Sequence, residues 1–143
     1  MPEPKPTVLL VEDNDEDAFL LQRALRMDKI ECELHVATDG QEALDYLGAT
    51  GRFADRTRFA APCLMVLDLK LPFVSGFEVL AWLAQQPTWK DLRVIILTSS
   101  GEDRDRARAE QFGIQSYFVK PPGREFTAVL AKALQEICAG TSK

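Results

Sequence analysis

The chain has 143 residues, a length that fits one domain. Its composition is 46% hydrophobic and 27% charged, which is typical of a folded globular protein and excludes extensive disorder. The net charge of −5 argues against a nucleic-acid partner, because nucleic-acid binding needs a basic surface. No apolar run reaches the roughly 18 residues of a membrane span, so no membrane association is expected.

The two ends of the chain differ in composition from the middle. Residues 1–6 contain three prolines and no apolar core of a signal peptide, so we expect a short disordered arm there. A single domain is predicted over 7–138, followed by a tail at 139–143. Three scattered cysteines without a C-x-x-C pair are typical of a reducing compartment, and a cytoplasmic location is therefore expected.

Strand and helix patterns alternate along the domain. Five short apolar runs predict strands buried on both faces, at 7–11, 33–37, 63–67, 93–97 and 116–119. Helical patterns separate and follow them; Asp39 and Ser75 are candidate N-caps, the fourth pattern is Arg-rich, and the last has a regular apolar stripe over 126–137. Such alternation predicts a parallel sheet with helices on both faces and right-handed crossovers.

One connection, at 48–62, is much longer than the others. It carries three arginines, and we interpret it as a solvated surface loop. Loops of this length are uncommon in compact domains and sometimes bind partners.

Polar side chains follow four of the predicted strands. Glu12 and Asp13 follow the first strand, Asp68 the third, Thr98 the fourth and Lys120 the fifth. Ligands of open parallel sheets bind beyond the carboxyl ends of the strands, so these side chains should converge. Three carboxylates repel one another unless a hard divalent cation such as Mg²⁺ compensates their charge. A carboxylate nucleophile, a metal, a hydroxyl and a lysine together describe an aspartyl-phosphate site.

Four segments resemble the receiver domains of two-component response regulators, of the chemotaxis-regulator type. They are VLLVEDN (8–14), VLDLKLPFVSG (66–76), IILTSS (95–100) and SYFVKPP (116–122). The resemblance implies a flavodoxin-like, doubly wound α/β fold with five parallel strands in the order 2-1-3-4-5. It also implies a phosphorelay function with no turnover of an external substrate: the domain would only promote its own phosphorylation and dephosphorylation.

The resemblance assigns the metal and the phosphoryl acceptor. Asp68 would accept a phosphoryl group from the phosphohistidine of a sensor histidine kinase. Asp13, Asp68 and the backbone carbonyl of Lys70 would bind Mg²⁺ directly, and Glu12 would act through a water molecule.

The same resemblance assigns a conformational switch. Thr98 and Lys120 would contact the phosphoryl oxygens. Tyr117 would be the switch aromatic, turning inward as Thr98 moves toward the phosphate. The Lys120–Pro121 peptide bond is expected to be cis. Pro122 and Gly123 depart from the usual pattern, in which an acidic or bulky residue follows the Lys-Pro pair.

The same resemblance indicates the expected partners. No effector domain follows residue 138, so a stand-alone receiver is expected. The acidic start VEDNDEDA and the long 48–62 loop are similar to the small regulators paired with microbial phytochromes, which points to a bacterial phytochrome as the kinase. Family resemblance also predicts a homodimer through the face formed by the fourth helix, the fifth strand and the fifth helix, with a solvated helix on a monomer as the alternative.

Two other functions fit parts of the pattern. In a phosphatase resembling the haloacid dehalogenase superfamily, Asp13 would be the nucleophile and Asp15 the general acid. That family also needs a late acidic pair for Mg²⁺, and after Lys120 this chain has only Glu125 and Glu136. A phosphate sink that drains a kinase without a downstream target would use the same residues as a messenger.

Overall fold

The computed structural model describes the backbone of residues 5–141 and the side chains of residues 5–137. The strands are β1 (Thr7–Val11), β2 (Glu33–Ala37), β3 (Leu64–Leu67), β4 (Arg93–Thr98) and β5 (Ser116–Val119). The helices are α1 (Asp15–Met27), α2 (Gly40–Gly48), α3 (Gly76–Ala84), α4 (Asp103–Glu110) and α5 (Arg124–Thr141). Short 3-10 turns occupy Gly51–Phe53 and Pro87–Trp89. Within 5–141, no helix combines the length and the apolar character needed to cross a bilayer.

The five strands form one parallel sheet in the order β2-β1-β3-β4-β5, which confirms the predicted flavodoxin-like topology. Val11 at the end of β1 lies beside Leu67 at the end of β3. The strand order reverses at this pair, because β1 is followed in sequence by β2 on one side and flanked by β3 on the other. The residues after Val11 and Leu67 therefore face a common crevice at the carboxyl edge of the sheet.

Helices cover both faces of the sheet. On one face the strands pack against α2, α3 and α4, and on the other they pack against α1 and α5. Alternate residues of β1 and β3 contribute to the two core layers, as Leu9 and Met65 do on one face and Val8 and Leu64 on the other. This two-sided burial explains why the strands are continuous apolar runs.

Both predicted N-caps are confirmed. The Asp39 side chain accepts a hydrogen bond from the Glu42 N–H (2.8 Å) at the start of α2. The Ser75 hydroxyl accepts one from the Glu78 N–H (3.2 Å) at the start of α3. These bonds satisfy amide groups that have no partner within the helix, so they fix where each helix begins.

The chain ends differ from the expected arm and tail where they are described. The Pro6 carbonyl accepts a hydrogen bond from the Glu33 N–H (2.8 Å), so the last residue of the expected arm is attached to the sheet. α5 continues to Thr141, so residues 139–141 of the expected tail are helical. Residues 1–4 and 142–143 lie outside the described part of the chain.

The 48–62 connection is folded onto the core rather than solvated throughout. Phe53 is only 2% exposed, and its ring centroid lies 5.1 Å from those of both Tyr46 and Phe59. The Arg56 guanidinium donates to the Phe59 carbonyl (3.1 Å) and closes this part of the loop. The interpretation as a solvated surface loop holds for most of the connection, whose residues are largely exposed. It fails for Phe53, which is buried, and for Phe59, which is partly buried, because these rings pack against α2 without any helical or strand periodicity.

Candidate functional site

Three carboxylates meet at the crevice between β1 and β3. Glu12 and Asp13 follow β1, Asp68 follows β3, and oxygen atoms of all three lie within 4.8 Å of one another. Glu12 and Asp68 are buried, whereas Asp13 is exposed and leaves the cluster open to solvent. A set of oxygen donors at this spacing fits a hard divalent cation. The Lys70 N–H donates to Asp68 Oδ1 (3.0 Å), which places the Lys70 backbone beside the cluster.

Lys120 is the cation of the site. Its Nζ lies 2.7 Å from Glu12 Oε1, 2.8 Å from Asp68 Oδ2 and 2.9 Å from Asp17 Oδ2. Burial alone would lower the pKa of the Lys120 ammonium, but hydrogen bonds to the three carboxylates outweigh burial and raise that pKa above its usual value. Lys120 stands at the end of β5, and its bond to Pro121 is cis, as predicted.

Glu12 is held in an unfavourable setting. Burial raises the pKa of its carboxyl from 4.5 to about 7, although the hydrogen bond from Lys120 acts in the opposite direction. The negative charge of Asp68 adds to the increase. A bound dication would relieve this repulsion, so the electrostatics of the cluster also fit a metal.

Thr98 ends β4, Tyr117 is the second residue of the neighbouring strand β5, and both side chains are buried. Thr98 is fully buried, and its Oγ1 accepts a hydrogen bond from the Ser100 N–H at 3.5 Å. The Tyr117 ring is already inward: it is buried, and its hydroxyl donates to the Ser100 carbonyl (2.8 Å). This differs from the expectation that Tyr117 turns inward only as Thr98 moves toward a phosphoryl group. Both residues therefore contact the same loop residue.

Three residues of this region escaped the sequence analysis. Asp17 lies in the first turn of α1 and pairs with Lys120. The Ser100 hydroxyl donates a hydrogen bond to Asp105 Oδ2 (2.6 Å). The hydrogen bond from Ser100 holds the pKa of the Asp105 carboxyl below its usual value, against the effect of burial. In the sequence Asp17 belongs to an acidic first helical turn, which indicates a helix N-terminus and gives no signal of the contact with Lys120.

The polar residues after β2 are occupied by local structure. Asp39 caps α2, and the Thr38 backbone and hydroxyl both donate to Glu42 Oε1 at 2.8 Å. His35 lies in β2 against the rings of Tyr46 and Phe59. This edge of the sheet is thus separate from the acidic cluster.

Most of the chain matches the sequence model of a known protein family. The model of the response regulator receiver domain matches residues 8–131. The chain belongs to this family. It is a receiver domain of a response regulator, the signalling module that accepts a phosphoryl group from a histidine kinase on an aspartate. This membership decides against the phosphatase interpretation with Asp13 as the nucleophile.

The similar proteins include regulators of phytochrome systems. Response regulator Rcp1 of Synechocystis sp. is 35% identical over 82% of this chain and 78% of its own length. The structure of the bacteriophytochrome response regulator AtBRR is similar with a TM-score of 0.79, 39% identity and coverage of 95% of this receiver and 94% of AtBRR. The phosphorylated cyanobacterial phytochrome response regulator RcpA has a TM-score of 0.75 and 32% identity, with 94% and 89% covered.

Rcp1 also has a solved structure in its Mn²⁺-bound form. It aligns with a TM-score of 0.74 and 34% identity over 94% of this chain and 91% of that one. A divalent cation is thus bound by a protein of closely similar fold, and the receiver described here has the acidic cluster such an ion needs.

Proposed function

We propose that Asp68 is the phosphoryl acceptor of this receiver. Asp68 directly follows β3 at the switch point, is 3% exposed, and has Lys120 Nζ at 2.8 Å from Oδ2. Asp13, the nucleophile of the rejected phosphatase interpretation, is exposed. The observation that carries the proposal is the place of Asp68 in the acidic cluster: it directly follows the central strand β3, whose neighbours β1 and β4 lead to Asp13 and Thr98. The Lys120 ammonium, which Asp68 shares with Glu12 and Asp17, favours the charge that develops in phosphoryl transfer.

The transfer needs one bond to form and one to break. A carboxylate oxygen of Asp68 forms the new P–O bond, and the P–N bond to the kinase histidine breaks with its electron pair remaining on the imidazole nitrogen. Lys120 and Thr98 lie at the ends of β5 and β4, where they can donate to phosphoryl oxygens. Autodephosphorylation is attack by water on the phosphorus, which restores the Asp68 carboxylate and releases inorganic phosphate.

Asp13, Asp68 and the Lys70 carbonyl are the proposed direct ligands of Mg²⁺, with Glu12 acting through water. Bound Mg²⁺ would neutralise negative charge on the carboxylates and on the incoming phosphoryl group. Asp13 is exposed and can exchange water for an ion, whereas Glu12 and Asp68 are buried and fixed by Lys120. Glu12 and Asp68 thus fix the geometry of the site, and Asp13 is the carboxylate that an ion from solvent reaches first.

Thr98 and Tyr117 form the proposed switch. Both contact Ser100, so a movement of Thr98 toward a phosphoryl group would be felt by the hydroxyl of Tyr117. This link between the site and a surface strand favours a messenger over a phosphate sink, because a sink needs no route from its acceptor to another face.

The proposed kinase partner is a bacterial phytochrome, and the proposed compartment is the cytoplasm. AtBRR and RcpA are phytochrome response regulators, and they align with nearly the whole of this chain. The scattered cysteines are consistent with the cytoplasm.

The proposed output is a homodimer through the α4–β5–α5 face, whose population rises on phosphorylation. β5 is an edge strand, and Val119 on it is 49% exposed. Arg106 on α4 pairs with Glu110 of the same helix at 3.4 Å. Exposed pairs of this kind contribute little, so they can be exchanged for pairs across a two-fold axis.

Phosphorylation by acetyl phosphate tests the proposed acceptor without a kinase. In Mg²⁺ buffer, intact-mass spectrometry should show one added phosphoryl group on the wild type and none on Asp68→Asn, because the amide is not a nucleophile. Excess EDTA should abolish the wild-type signal. Asp91→Asn, at the opposite edge of the sheet, is the matched control and should be labelled like the wild type. Equal labelling of Asp68→Asn would overturn the proposal.

A further inference from the structure

Asp105 is a buried carboxylate on the first turn of α4. It is 8% exposed, although α4 is a strongly charged surface helix. A buried aspartate normally has specific partners, because an unpaired charge away from water is unfavourable. Here one oxygen has two: Oδ2 accepts the hydrogen bond from Ser100 Oγ (2.6 Å) and lies 3.6 Å from Lys70 Nζ.

The partner Lys70 links Asp105 to the proposed phosphoryl acceptor. Lys70 follows Asp68 by two residues, and its N–H donates to Asp68 Oδ1 (3.0 Å). Its side chain extends from this loop to α4, where the ammonium meets Asp105. That ammonium is on a side chain 60% exposed, so it is free to respond to new negative charge at Asp68.

The partner Ser100 links Asp105 to the proposed switch. The Ser100 N–H donates to Thr98 Oγ1, and the Ser100 carbonyl accepts the hydroxyl of Tyr117 at 2.8 Å. The Glu102 N–H also donates to Ser100 Oγ (3.3 Å), so the loop between β4 and α4 is organised around this one hydroxyl. Asp105 therefore positions Ser100, whose carbonyl accepts the hydrogen bond from the Tyr117 hydroxyl.

We propose that Asp105 is a positioning residue that couples the Asp68 site to Tyr117 through Lys70 on one side and Ser100 on the other. The inference rests on the proposed function, since it takes Asp68 as the acceptor. Added charge at Asp68 attracts the Lys70 ammonium and weakens its pairing with Asp105. The change reaches Ser100 through the shared oxygen Oδ2, and it alters the hydrogen bond that keeps Tyr117 inward. Asp105 contacts no phosphoryl oxygen in this scheme.

The chain offers a direct probe of this coupling, because it contains two tyrosines. Full-length protein with 3-fluorotyrosine gives two fluorine signals, which Tyr46→Phe and Tyr117→Phe assign. Tyr46 lies in the aromatic cluster with Phe53 and serves as the internal reference. Beryllofluoride with Mg²⁺ mimics the acyl phosphate, and its own bound fluorine signal reports occupancy of Asp68 in the same spectrum.

The decisive variant is Asp105→Asn, which keeps a hydrogen-bonding group beside Ser100 and removes the charge that pairs with Lys70. In the wild type, beryllofluoride should displace the Tyr117 signal. In Asp105→Asn at saturation, the displacement should fall to less than about half of the wild-type value while the Tyr46 signal stays in place. Asp103→Asn removes an equal charge from the same turn of α4 at an exposed position, and it should respond like the wild type.

The outcomes separate the inference from the proposed function. If beryllofluoride gives no bound signal in the wild type but binds Asp68→Asn, the proposed acceptor is wrong. If it binds Asp105→Asn and displaces the Tyr117 signal as fully as in the wild type, the coupling role of Asp105 is wrong. Ser100→Ala is the second variant: it removes the Oγ bond from the other end and should reproduce the loss, whereas a full response there would also contradict the coupling.

Discussion

Lys120 offsets part of the negative charge of the site. Its ammonium contacts Glu12, Asp17 and Asp68, and of these Glu12 has a pKa raised to about 7. The cluster is therefore arranged for a cation rather than for the stability of the metal-free fold. Clustered ionisable groups with a strongly shifted pKa are an expected feature of functional sites.

Metal-free stability should carry the signature of Glu12. The folded pKa of about 7 lies above the reference value of 4.5, so the folded protein binds more protons than the unfolded chain between these values. The stabilisation is complete below pH 4.5 and is lost as the pH rises through 7. The loss is about 3 kcal/mol at most.

Urea unfolding in EDTA at about pH 5 and about pH 8 measures this effect. Glu12→Gln cannot ionise, so the free energy of unfolding of the variant should rise relative to the wild type as the pH increases. Parallel pH dependence of the two proteins would contradict the assigned electrostatic conflict at Glu12.

At the level of elements, the strands and the residues at their ends were predictable. Strands buried on both faces are continuous apolar runs, and parallel strands align their carboxyl ends, so Glu12, Asp13 and Asp68 could be placed together from order alone. The contacts of Asp17 and Asp105 could not, because they depend on the reach of Lys120 and on the path of the loop between β4 and α4. Such contacts leave no periodic pattern in the sequence.

The 48–62 connection was harder to predict for a related reason. Phe53 and Phe59 stand in an arginine-rich, aperiodic segment, yet they pack on Tyr46, whose hydroxyl donates to the Ala60 carbonyl (2.8 Å). Burial raises the pKa of the Tyr46 hydroxyl to about 12. The connection is thus an extension of the core layer formed by α2.

Phe53→Ala should lower the free energy of unfolding by about 3 kcal/mol, because it removes a fully packed ring and leaves a cavity. Phe19→Ala is the control: Phe19 is 54% exposed, and its loss should cost less than about 1 kcal/mol. Denaturant unfolding of both variants measures the difference. A cost at Phe53 as small as that at Phe19 would show that the connection is only loosely attached.

At the scale of the whole molecule, the expected output is a change in association. In the proposed mechanism, phosphorylation at one edge of the sheet would be read at the α4–β5–α5 face through Tyr117. If phosphorylation of Asp68 favours the dimer, dimer formation must favour the phosphorylated state by the same factor, because coupling between two equilibria is reciprocal.

Sedimentation with and without beryllofluoride tests this association. At tens of micromolar protein, the sedimentation coefficient should rise toward that of a dimer when Mg²⁺ and beryllofluoride are added. Arg104→Glu, an exposed change on α4, should reduce the rise. A monomer in both states would refute the homodimer, and a dimer indifferent to Arg104→Glu would place the interface elsewhere.

The central claim is that Asp68 carries the phosphoryl group, and mapping the modified residue tests it most directly. The receiver is phosphorylated by a phytochrome histidine kinase in Mg²⁺ buffer, the acyl phosphate is reduced with borohydride, and the peptides are sequenced by mass spectrometry. We predict reduction of Asp68 to homoserine, with Asp13 and Asp17 unmodified. A reduced residue at Asp13 with Asp68 intact would contradict the account.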